Sequence, residues 1–104
     1  MGVHTCDKRS TRSIIEERYP VYKIEAGFTE QDVLWKPDER ESDPERDARL
    51  LVLLRDIFAQ DSNTVLSLTA HSGAITSVLK VTGHRAFALL TGAVIPVVLR
   101  VERV

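Results

Sequence analysis

Residues 65–74, Val65-Leu-Ser-Leu-Thr-Ala-His71-Ser-Gly73-Ala, decide how this chain is read. The run from Val65 to Ala70 is apolar and strand-like, and Ser72-Gly73 opens a segment with helical spacing. That order predicts a strand whose carboxyl end carries His71, directly before a helix N-terminus. In open α/β sheets ligands gather in the crevice beyond the carboxyl ends of the strands. The first amides of a helix have no internal acceptor and point toward any anion set there. An imidazole beside such amides suits phosphate, because the ring supplies a proton or a charge while the amides hold the oxygens. One histidine, however, does not make an enzyme.

The chain has 104 residues, 43% of them apolar and 28% charged, a composition ordinary for a soluble globular domain. A formal net charge of −1 argues against a general electrostatic grip on nucleic acid or on acidic membranes. Cys6 is the single cysteine, so no intrachain bridge forms, and a lone thiol fits a reducing, cytoplasmic compartment. No stretch has the length and apolarity of a membrane span. The opening Met-Gly-Val-His-Thr-Cys lacks the apolar run of a signal peptide, and Cys6 stands where myristoylation favours Ser or Thr. Three scattered histidines and one cysteine show no metal-site spacing, and no cofactor is expected.

Charge is divided unevenly along the chain. Residues 1–63 hold 24 charged side chains, whereas residues 64–104 hold only 5. The second part therefore reads as sheet-core material and the first (1–42) as a loop-rich polar cover of a helix-strand-helix-strand core over 43–104. Such Val-, Leu- and Ile-rich strands usually need covering on both faces. Two strands fall short of the roughly five or six in a mean sheet, which predicts a portion of a larger α/β fold.

Local signals fill in the order of elements. A short helix is expected over Thr11–Tyr19, capped by Ser10 or Thr11 and stopped by Pro20. Thr29-Glu-Gln-Asp32 resembles a capping box that would start a single helical turn. Ser42-Asp43-Pro44-Glu45 is the clearest helix start, with Leu50, Leu51, Leu54, Ile57 and Phe58 spaced along one face. Asp61-Ser62-Asn63 breaks it. After the strand Val65–Ala70, a helix over Gly73–Thr82 is expected to bury Ala74, Ile75, Val78 and Leu79, with Gly83 just past its end. A second strand is expected over Ala93–Val101, with Pro96 marking an edge or a bulge.

Three separated stretches then resemble one known family. Leu68-Thr-Ala-His71-Ser-Gly-Ala-Ile-Thr-Ser-Val-Leu, with Gly83-His-Arg85 and Thr91-Gly-Ala-Val-Ile-Pro-Val, resembles the C-terminal half of phosphoglycerate mutase-like proteins of the histidine phosphatase superfamily, in their fungal and plant branch. Gly2-Val-His-Thr-Cys-Asp-Lys-Arg9 and Asp32-Val-Leu-Trp-Lys-Pro-Asp38 resemble earlier segments of the same branch. The resemblance implies a partial three-layer α/β/α fold lacking the N-terminal strand, and a phosphohistidine mechanism acting on a phosphomonoester. In that family an Arg-His-Gly histidine attacks phosphorus, a second histidine and arginines neutralise the transferring group, and a carboxylate protonates the leaving oxygen. By position His71 corresponds to the second histidine, and the amide of Gly73 to a backbone donor to phosphate.

The sequence departs from that pattern in having no Arg-His-Gly, and the position of the family's acid would fall before residue 1. Two functions therefore stay open: a hydrolase or mutase of a small phosphorylated substrate, or a truncated, inactive remnant that binds phosphate or another protein. Arg9 and Arg12 carry guanidinium forks that fit phosphate, against a competing reading as solvated salt bridges, and Arg9 is kept as a phosphate-binding candidate. Cys6 is read as packed rather than nucleophilic, and Trp35 as packing. His4 and His84 are read as loop or surface residues. Self-association through an exposed sheet edge is expected of strands without neighbours.

Overall fold

A computed structural model describes residues 4–102 of the chain; Met1, Gly2 and Val3, where the first resembling stretch opens, lie outside them. The chain divides into two compact units, Met1–Glu41 and Ser42–Val104.

In the first unit a single 3-10 turn, Thr5–Asp7, interrupts the expected loop. Cys6 on that turn is a free, exposed thiol rather than a packed one. Helix α1 spans Arg12–Arg18, and Thr11 caps it by accepting from the Ile14 amide. The rest is irregular chain tied together by side chains. The Arg9 guanidinium donates to the carbonyls of Ser10, Thr29, Glu30 and Gln31 and to Thr29 Oγ1, at 2.7–3.3 Å. It lies 4.0 Å from the Phe28 ring centre. The expected helical turn after Thr29 does not form, because the side chains there serve other groups. Thr29 Oγ1 donates to the Gln31 carbonyl, and Asp32 Oδ1 accepts from the Leu34 and Trp35 amides, closing an Asx turn instead. Trp35 packs as expected, donating through Nε1 to the His4 carbonyl with Lys8 Nζ 4.9 Å from its ring.

The second unit is built on two helices. Helix α2, Asp43–Gln60, starts where the sequence says it should, with Ser42 at the cap and Pro44 in the first turn. Glu45 accepts from both the amide and the hydroxyl of Ser42, so an orphan donor is satisfied at the helix mouth. At the other end Asp61 Oδ1 accepts from the amide of Asn63 and ends the helix in a local turn. Helix α3 is Ser72–Val81. Its C-terminus is closed by a pair of bonds, His84 N to Leu79 O and Gly83 N to Lys80 O. That pairing requires a left-handed residue at Gly83, whose φ is +73°, a conformation that any side chain would strain.

Helices α2 and α3 pack against each other. Leu50 and Leu54, one turn apart on α2, are buried with Leu79 of α3, each contributing about 2 kcal/mol by leaving water. Leu51 and Ile57 are half-buried and Phe58 is exposed, so the apolar stripe is narrower than its sequence spacing suggests. On α3 the expected Ala74, Ile75 and Val78 are half-buried, and the most deeply buried side chain is a polar one, Ser77.

The expected three-layer α/β/α fold is not what the described residues form. They hold three α-helices and no β-strand, so this chain on its own is not a sandwich of helices around a sheet. Val65–Ala70 and Ala93–Val101 lack regular structure. The reason is physical: β-propensity expresses packing against cross-strand neighbours rather than an intrinsic backbone state. A strand exists only once its amides and carbonyls enter a ladder, and neither run has one here. Most of their side chains stay in solvent, with Val65 86% and Val98 fully exposed, while Ile95 and Leu99 are half-buried. Without a strand there is no sheet edge, and the expectation of association through one falls with it. Among the described residues no helix is long and apolar enough to cross a membrane.

Candidate functional site

His71 is the N-cap of α3. Its backbone is extended (φ −70°, ψ 155°) and its side chain makes no capping hydrogen bond. The His71 carbonyl takes the first helical bond, from Ile75 N at 3.1 Å. By helix geometry the amides of Ser72, Gly73 and Ala74 have no intrahelical acceptor. No acidic residue stands in the first turn, leaving the positive end of the helix dipole uncompensated by α3 itself. The part of the sequence argument that depended on a strand end is lost, because the segment before His71 is irregular. The part that depended on a helix start is kept.

A hollow of about 360 Å³ adjoins this helix mouth. One wall is Ala70, His71, Ser72 and Ile75; the other is the segment Leu89–Ala93. That second wall is a tight turn in which Ala93 N bonds to Leu90 O at 3.0 Å. Gly92 supplies the positive φ, +78°, that the third position of a type II turn needs. Thr91 and Gly92, which open one of the resembling stretches, therefore shape a wall of the hollow that His71 also lines.

Arg46 is the residue that sequence reading missed. Its Nη1 would lie 3.5 Å from a Cβ built on Gly73, so a guanidinium sits beside the first turn of α3. It is held there by Nε donating to Ser77 Oγ at 2.8 Å and by an ion pair of Nη2 with Asp43 at 3.0 Å. A signal was present: Arg46, Leu50 and Leu54 recur at intervals of four along α2, so the cation belongs to the packed stripe and not to the solvated acidic start of the helix. Asp47 beside it pairs with Lys80. Hydrogen bonds from Lys80 and then Ser77 hold the Asp47 carboxyl below its usual range, because both stabilise the ionised form.

The other sequence candidates are placed as follows. Gly73 is half-buried in the first turn of α3, and a Cβ there would meet only ordinary contacts; its importance would lie in its amide. Arg9 belongs to the first unit, with its guanidinium donors spent on carbonyls. Arg12 pairs with Glu16 at 2.8 Å, one turn along α1, as the salt-bridge reading has it. His4 is exposed and His84 half-buried, the latter within 2.8 Å of the Arg85 carbonyl through Nδ1. Among the described residues no group of three or more His, Cys, Asp or Glu is placed to hold a metal ion.

Comparison with known proteins returns fungal and plant relatives. The chain is 64% identical over 102 residues to a protein of Arthroderma benhamiae named "Probable phosphoglycerate mutase", covering 98% of this chain and 30% of that protein. It is 44% identical to "Phosphomutase-like protein 3" of Candida albicans, over 97% of this chain and 32% of the relative. A plant protein, "Phosphoglycerate mutase-like protein 2" of Arabidopsis thaliana, is 32% identical over 80% of this chain and 24% of its own length. The chain thus spans about a third of the length of the first two curated relatives. No family model matches it, and no solved structure does.

Proposed function

We propose, from the premise that this chain belongs to the phosphoglycerate mutase-like proteins, that its residues around His71 hold the phosphoryl group of a small phosphomonoester. The single observation that carries the reading is that His71 caps the mouth of α3, where the first amides have no intrahelical acceptor, with the Arg46 guanidinium beside Gly73 in the same first turn. Amides at a helix start bind anions through aimed N–H groups and the helix dipole. A guanidinium adds charge-assisted hydrogen bonds, about twice as strong as neutral ones, and the imidazole adds a hydrogen bond to the anion. The Gly73 amide is one of the donors. Arg9 is not used, because its guanidinium already serves the carbonyls of its own unit.

Phosphoryl transfer asks a protein mainly to position groups and to neutralise charge at phosphorus. The role of these residues is the second of those tasks. The sequence carries no Arg-His-Gly, so no bond-breaking step is assigned to its own side chains. In a whole protein of this family the implied activity is that of a phosphatase or phosphomutase, with the phosphoryl group passing through a histidine. A cytoplasmic setting is part of the reading, supported by the lone thiol of Cys6.

Titration with inorganic phosphate, followed by amide NMR, tests this. The Ser72, Gly73 and Ala74 amides should shift together. His71→Ala should weaken binding about tenfold or more, from the loss of one charge-assisted hydrogen bond. Shifts scattered over the chain, or an affinity indifferent to His71→Ala, would refute it. Hydrolysis of an aryl phosphate by the same sample should stay at the level of buffer.

A further inference from the structure

We draw no further inference here: the strongest candidate, the apolar surface of the second unit formed by the runs at 65–70 and 93–101, where Val65, Val94 and Val98 stand largely in solvent, is an unpartnered face, and nothing in the structure shows what covers it.

Discussion

Ser77→Ala isolates the polar clasp that joins α2 to α3. Ser77 is fully buried, accepts from Arg46 Nε at 2.8 Å, and hydrogen-bonds the Asp47 carboxylate. Alanine removes one oxygen and leaves a guanidinium donor without its acceptor. A hydrogen bond to a charged group contributes about 1.5–3 kcal/mol. Arg46 retains 21% side-chain exposure, so water partly replaces the lost acceptor, and about 2 kcal/mol is the appropriate cost. Alanine recovers about 0.5 kcal/mol of helix propensity over serine, which leaves a net loss of about 1.5 kcal/mol. For a cooperative unit of this size that lowers Tm by about 6–12 °C. The assay is thermal unfolding by far-UV circular dichroism, with urea unfolding to show that m is unchanged. Thr76→Ala is the control. Thr76 is exposed and bonds only back to the Ser72 carbonyl, so its loss should change stability by less than about 0.5 kcal/mol. A Ser77→Ala protein as stable as the parent would refute the clasp. So would additive losses in a double-mutant cycle with Arg46→Gln, because directly bonded partners should couple.

Two other expectations follow from single side chains. Asp47 has a lowered pKa in the folded protein against 3.8 for the free group. The folded state therefore takes up that proton less readily than the unfolded state, and the stabilisation is present in full above the ordinary value. It shrinks as pH falls below about 4 through the lower folded pKa. Asp47→Asn should flatten the acid limb of a stability-versus-pH curve, and an unchanged limb would remove Asp47 from the cause. In the first unit, Arg9→Lys keeps the charge but loses the fork that serves several carbonyls at once. Hydrogen exchange at the Arg12 amide, bonded to the Glu30 carbonyl at 3.0 Å, should quicken by about tenfold, corresponding to about 1.4 kcal/mol. Unaltered exchange would mean that Arg9 does not hold the 28–32 segment in place.

The sequence carried the local elements well. Ser42 and Glu45 are close in sequence and satisfy each other before any tertiary contact, so the start of α2 is legible from residues alone. The same holds for Thr11 capping α1 and for Gly83, whose missing Cβ permits the turn that ends α3. For the candidate residues it was the placement that was legible: His71 and Gly73 stand at the helix start that their order predicted. Arg46 was not legible as a neighbour of Gly73, because 27 positions separate them and only the packing of α2 on α3 brings them together. Ser77 was unreadable for a like reason, since a serine among apolar residues gives no sign that a distant arginine will satisfy it.

Sequence by itself determined where helices begin and end, because caps, prolines and glycines act within a turn of chain. It also determined the kinship with fungal and plant phosphoglycerate mutase-like proteins, which 64% identity to one relative expresses. Tertiary structure alone decided what the apolar runs at 65–70 and 93–101 became. Their residues favour strands, yet a strand needs hydrogen bonds from a neighbour that lies elsewhere, and among the described residues none supplies them. Helices satisfy their own backbone, so they could be read from the chain; ladders are satisfied by other segments, so they could not.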